Sequence, residues 1–335
     1  MNSPFRRSSG ALHRVPRMTL LLLPFPAADY AAWREDQVQR RRRWQFGPLC
    51  GEARGPIRAR SAVDELAPAE GLSGTHLHRV LADGEVAGWI WLSREDDDLI
   101  VLDAQADTRA QDLLALLEAR ARAAGARALV LDRMVDAPTP AALREQAEFT
   151  VTSQTMVRTL DGSEPFGSSE GRPVHLFPMS QQTFATFYDA AVDEFARELR
   201  RSDGLPWEEA SERAREEYGE LLPHGLKTDR HALLDIVDAT SGECVGGVWI
   251  GLRPPHAAFV YDLYLRPSVR GRGLGRGAMR AAAEWCRARG VVRFGLSVAG
   301  HNTVAIHLYE SLGFRVVVEA ARWALPEAAP VVGPR

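Results

Sequence analysis

The two halves of this chain repeat one another, so it must fold into two copies of one unit. Residues 20–24 match 174–178 at an offset of 154, and Tyr30 and Trp33 fall on Phe184 and Phe187 at that offset. Residues 84–91 match 242–249 at 158, and 106–109 match 267–270 at 161. Gly125 and Phe149 match Gly290 and Phe314 at 165. The offset grows in small steps, as loop insertions would produce. The polar, turn-forming stretch 161–171 reads as the linker. The expected organisation is a disordered tail over 1–17, with Met18 a candidate start. A first domain follows over 18–160, a linker over 161–172, a second domain over 173–325 and a loose tail over 326–335. The 335 residues leave room for two domains of ordinary size.

Each copy reads as a mixed α/β unit. In the second, periodicity predicts strands over 174–177, 232–238, 244–252, 258–265, 292–298 and 314–323. It predicts helices over 180–200, 207–220, 276–289 and 302–312. Arg14 and Arg17 ahead of Leu20, Leu21, Leu22 and Leu23 faintly resemble a signal peptide. The run is short before Pro24 and recurs in the second copy, so it reads as a buried strand.

Arg270, Gly271, Arg272, Gly273, Leu274 and Gly275 lie between the strand 258–265 and the helix that ends at Gly290. A strand, a glycine turn and a helix aim free N–H groups and the positive end of a helix dipole at one spot, which suits a phosphate or pyrophosphate. A Walker A loop is excluded, since no Gly-Lys-Ser/Thr follows. A dinucleotide fingerprint is formally present at Gly273, Gly275 and Ala278, but the next strand does not end in the acidic residue that reading needs.

After that next strand come Asn302, Ala305, Leu308, Tyr309, Gly313 and Phe314. With Arg270, Gly273 and Gly275, this second motif resembles the GNAT superfamily of acyl-CoA-dependent N-acyltransferases. The likeness covers the second copy, and through the repeat it reaches the first. It implies an α/β fold of two tandem domains, each a mixed, mostly antiparallel sheet with a splayed parallel pair flanked by helices.

The resemblance carries further expectations. Acetyl-CoA is the co-substrate, its pyrophosphate held by Arg270, Gly271, Arg272, Gly273, Gly275 and Arg276. The backbone of Leu263 and Leu265 would receive pantetheine and the thioester, and Asn302 would lie beside the CoA arm as a helix N-cap. Tyr309 holds the position of the general acid for the leaving thiolate. The base is left open: Asp262, and Glu194 and Glu198 on a helix that shapes the acceptor site, are candidates, as are a bound water chain and, on residue type alone, His301 and His307. The implied reaction moves an acetyl group directly to a primary amine of a small molecule. The alternatives are a CoA-binding regulatory module without turnover and a dinucleotide-dependent oxidoreductase.

The remaining residues bound the partners. A net charge of −3 gives no reason to expect nucleic acid or an anionic membrane. The odd count of three cysteines points to reduced thiols in a cytoplasmic protein, with Cys244 and Cys286 as small apolar fillers. No metal is expected, for want of ligand spacing. A monomer and a homodimer both fit. Eleven acidic against five basic residues over 189–220 would attract a cationic amine. The first copy reads as silent. At its turn Ala110, Asp112 and Leu114 replace the three glycines, and Ala137 and Arg144 stand where the second copy has Asn302 and Tyr309.

Overall fold

A computed structural model of the chain describes residues 18–72, 76–138, 143, 148–162, 166 and 171–326. The expected tail over 1–17, all but residue 326 of the expected tail over 326–335, and Arg144 lie outside the described residues. The first half runs β1 (Leu20–Pro24), α1 (Ala27–Arg41), a π-helical turn (Arg42–Phe46), α2 (Gly47–Leu66), β2 (His76–Ala82), β3 (Glu85–Glu95), β4 (Asp98–Ala106), α3 (Ala110–Ala123), β5 (Ala128–Met134) and β6 (Thr150–Thr159). The second repeats that strand order and adds a described helix before its last strand. It runs β7 (Val174–Pro178), α4 (Gln181–Ser202), α5 (Trp207–Leu221), β8 (His231–Asp238), β9 (Cys244–Arg253), β10 (Ala257–Leu265), α6 (Leu274–Arg287), β11 (Arg293–Ala299), α7 (Thr303–Ser311) and β12 (Arg315–Ala324).

All twelve strands form one sheet in the order β1-β2-β3-β4-β5-β12-β6-β11-β10-β9-β8-β7. The last strands of the two halves are exchanged. β12 pairs with β5, β6 pairs with β11, and the two lie antiparallel at the centre. The expected boundaries at 160 and 173 follow the chain, whereas the sheet crosses them. The exchange leaves no open edge where the halves meet, so the outer edges of the sheet are β1 and β7.

Local sequence accounts for the helices that frame the second half. On α4, Phe187, Ala191, Val192, Ala196 and Leu199 recur at helical spacing and are buried on one face. Its start is a capping box, with Ser180 Oγ accepting from Thr183 N–H at 3.1 Å and Thr183 Oγ1 accepting from Ser180 N–H at 3.0 Å. α6 buries Leu274, Ala278, Met279, Ala282 and Cys286 against Phe294 and Leu296 of β11. It starts at Leu274, two residues earlier than the pattern suggests, because Gly273 takes a left-handed conformation (φ 78°) and turns the chain straight into the helix. The opposite face of the sheet carries an aromatic core under α4 and α5, built on Phe187, Trp249, Tyr218, Tyr261 and Tyr264.

Two expectations change. β1 is an edge strand with Leu21 51% and Leu23 42% exposed, since only alternate residues of an edge strand meet the core. Cys244 begins β9 and is exposed, so it fills no core; Cys50 and Cys286 are buried. No helix among the described residues is long and apolar enough to cross a membrane.

The exchange has a direct consequence. Cleaving the chain within 161–172 should leave two fragments that migrate together in native size exclusion and separate only in denaturant. Fragments that part under native conditions would contradict the exchanged sheet.

Candidate active site

β10 and β11 run parallel, with residues 257–260 opposite 293–296, and their pairing stops there. A bulge at Tyr261 shifts the β9–β10 register, so that Asp262 stands opposite Trp249. β11 continues to Ala299 held by β6 on its other edge. The two strands therefore diverge into a cleft beyond Val260, and backbone groups on the inner edge of β10 lose their strand partner. Leu263 and Leu265 join the core under α6, while Tyr261 and Tyr264 join the aromatic core. Both leucines thus pack by their side chains and offer the cleft only backbone.

The glycine turn sits at one end of this cleft. Gly271 (φ 75°) and Gly273 (φ 78°) are left-handed, and Gly271, Arg272 and Gly273 are exposed. The first intrahelical bond of α6 runs from Gly277 N–H to the Gly273 carbonyl at 3.2 Å. The N–H groups of Leu274, Gly275 and Arg276 consequently have no partner within the helix. Arg270 Nε donates to the Leu265 carbonyl at 3.0 Å, fastening the turn to the end of β10. Arg276 Nη2 donates to Ser311 Oγ at 2.8 Å and ties α6 to α7. Asn302 caps α7, its Oδ1 accepting from Ala305 N–H at 3.1 Å.

Asp262 lies close enough to Tyr309 for its charge to act on the phenol. The Asp262 residue keeps part of its surface open while protein packs its carboxyl group, and it is that packing which governs its titration. Burial pushes the carboxyl up to about 7, a hydrogen bond from Leu263 N–H opposes the rise, and the negative charge of Glu194 adds to it. Tyr309 is buried on α7, and burial, then Asp262, raise its phenol to about 12. Tyr218 on α5 is raised by the same two causes in the same order. Tyr309 belongs to one layer and Tyr218 to the other, so Asp262 lies where the layers meet. Tyr218 went unnoticed in the sequence; its signal is the i, i+4, i+8 stripe Ala210, Ala214, Tyr218 on the inner face of α5. It packs edge-on against Trp249 at 5.4 Å between ring centroids.

Glu198 lies elsewhere. Its carboxylate is 3.4 Å from His301 Nδ1 and 3.8 Å from Arg201, and Arg201 also bonds His301, so the three clamp α4 to the start of α7. His307 is exposed.

The first half repeats the divergence. β4 and β5 run parallel only over 98–101 and 128–131, and the bulge at Leu102 sets Asp103 opposite Trp91, the counterpart of Asp262 opposite Trp249. Here, however, Arg40 donates to Asp103 through Nε at 2.7 Å and Nη2 at 3.0 Å, and both side chains are buried. Asp112 sits in the first turn of α3, 3.3 Å from Arg109.

Residues 192–314 match the Acetyltransferase (GNAT) family. The uncharacterized N-acetyltransferase YdgE of Bacillus subtilis is 30% identical over 139 residues, covering 41% of this chain and 88% of the relative. YycN of the same organism, another uncharacterized N-acetyltransferase, is 32% identical over 146 residues, covering 42% and 92%. The chain belongs to the GNAT family. It is thus an acyl-CoA-dependent acetyltransferase. A GCN5-related N-acetyltransferase from Sphaerobacter thermophilus shares the fold of this GNAT chain over 93% of its length and 97% of its own (TM-score 0.50, 19% identity). Both halves of the chain fall within that shared fold.

The raised Asp262 carboxyl makes this region of the GNAT chain sensitive to pH. The folded chain holds that proton to higher pH than the unfolded chain does, so ionising it costs stability. Between the ordinary aspartate value of 3.8 and about 7, this one group should lower stability by up to about 1.4 kcal/mol per pH unit. Thermal melts of wild type and Asp262→Asn across that interval test it. The difference between the two should shift with pH in favour of the variant as pH rises.

Proposed function

We propose that the second half carries one active site, which moves an acetyl group from acetyl-CoA directly to a primary amine of a small molecule. The observation that carries this reading is the divergence of β10 and β11 beside the N-terminus of α6, with Asp262 near enough to Tyr309 for its charge to act on the phenol. The turn suits the donor: exposed glycines leave backbone approachable, three N–H groups lack partners within the helix, and the helix dipole adds positive potential for a pyrophosphate. Arg270 and Arg276 shape the turn through the bonds described above, and Arg272 adds charge at its surface. The edge of β10 at Leu263 and Leu265 supplies backbone groups for an extended pantetheine and for the thioester oxygen, with Leu263 N–H also engaged by the Asp262 carboxyl.

Asp262 takes the proton of the incoming ammonium, which would otherwise have no lone pair for attack. With its carboxyl near 7, it can accept that proton at neutral pH and release it afterwards. The amine nitrogen bonds to the thioester carbon, the carbon–sulfur bond breaks, and Tyr309 gives its phenolic proton to the departing thiolate. The thiolate therefore leaves as a thiol, the nitrogen sheds its second proton to solvent to become the neutral amide, and the phenolate recovers a proton from solvent. No side chain forms a covalent bond to the acetyl group. Glu194, the aromatic wall and the acidic surface of α4 and α5 favour a cationic acceptor. Glu198 contributes by fastening α4 beside the cleft through His301.

The first half is silent in this reading. Arg40 neutralises and fills around Asp103, and Asp112 sets a carboxylate where a pyrophosphate would bind.

Thiol release from acetyl-CoA across a panel of amines tests the reading. Tyr309→Phe should lower kcat by about 10²-fold or more while the Kd for acetyl-CoA, read by calorimetry, stays within twofold. An unchanged kcat would remove Tyr309 from the acid role. As a base Asp262 works only when ionised, so kcat/KM should climb with pH through about 7 and then level off. In Asp262→Asn that climb should vanish along with most of the rate. Acetyl-CoA binding without thiol release on any amine would favour a regulatory module instead.

A further inference from the structure

We propose that a second ligand site lies where the two halves meet, an arginine-lined cleft that takes a small polyanion with two or three negative charges. The cleft has a volume of about 550 Å³. One wall is the π-helical turn with the start of α2, and the other is the first residues of β11 and β12. Among the described residues four guanidinium groups line it, those of Arg42, Arg43, Arg293 and Arg315, against a single carboxylate, Glu52.

The counter-charges within the chain are weak. Arg42 approaches Glu52 only to 3.6 Å, and the Glu52 side chain is 96% exposed. Arg315 meets Asp136 at 3.4 Å, with both side chains mostly in solvent. Exposed pairs of this kind contribute little. Arg43 stacks on Trp44 with its guanidinium 5.1 Å from the ring centroid. Arg293 Nη1 donates to Thr159 Oγ1, but its Nε is buried without a hydrogen-bond partner. A buried donor without an acceptor is disfavoured, and a bound oxyanion would supply that acceptor.

The wall depends on one backbone device. The π-helical turn closes when Gly47 N–H donates to the Arg42 carbonyl, and a Cβ at position 47 would collide with that oxygen. Wide turns of this kind are frequent at functional sites. The volume falls within the ~300–1,000 Å³ of small-molecule sites, and planar guanidinium forks match phosphate and carboxylate oxygens. The cleft is distinct from the acetyl-transfer site. Arg293 begins β11, whereas the acetyl-transfer cleft opens beyond Leu296 towards that strand's other end. The site therefore stands whether or not Tyr309 and Asp262 act as proposed.

The test titrates the full-length protein by calorimetry with pyrophosphate and, separately, with citrate. Acetyl-CoA is kept saturating throughout, so that the glycine turn of α6 is occupied. At least one of the two anions should bind saturably, one per chain, and more weakly as salt rises. Which one binds distinguishes phosphate from carboxylate recognition. Arg43→Glu, at an exposed position, should weaken binding tenfold or more, and Arg43→Lys should retain most of it. Acetyl-CoA affinity and the thermal midpoint should stay unchanged in both. No uptake of either anion, or uptake equal in wild type and Arg43→Glu, would overturn the proposal.

Discussion

Beyond Val260, β10 has a bulge and no neighbour on one side, and the rest of the second half is arranged around that gap. A strand edge inside a protein must find partners for its N–H and C=O groups or face a cleft. Here the gap faces a cleft, with the N-terminus of α6 at one end and Tyr309 of α7 in the layer behind. The same bulge sets Asp262 opposite Trp249, in the seam between the two side-chain layers. Packing at that seam keeps water from the carboxyl, which is why its proton is held to near-neutral pH.

The gap stays open because β11 is held from the other side. The strand that holds it, β6, belongs to the first half of the chain. The first half is therefore part of the frame of the second. In return β12 completes the sheet of the first half against β5. A duplicated chain that exchanges its last strands cannot lose one copy without opening the sheet of the other. That gives a physical reason for a half without the glycine turn to persist.

The two halves diverge most sharply at one helix position. Arg40 and Glu194 are counterparts, as are Asp103 and Asp262. In the first half the cation closes on the carboxylate and seals it. In the second an exposed glutamate faces the equivalent carboxyl and raises its affinity for a proton. One fold and one bulge thus yield a buried ion pair in one copy and a titratable group in the other.

The element order and the glycine turn were legible in the sequence, because both rest on local rules. Alternation marks strands, helical spacing marks helices, and only glycine turns tightly at positive φ. Tyr309 was legible for the same reason, by its fixed spacing from Asn302 and Phe314. Tyr218 and the Asp103–Asp262 correspondence were not, because each depends on partners brought together from distant segments. The exchange of β6 and β12 leaves no local trace either, since a strand's alternation is the same whichever neighbour it pairs with. The sequence by itself determined two copies of one α/β unit and one intact glycine turn. Only the tertiary structure decided which strand closes which sheet, and which carboxylate is sealed and which left to titrate. Those outcomes depend on contacts between segments far apart in the chain, and local pattern does not encode them.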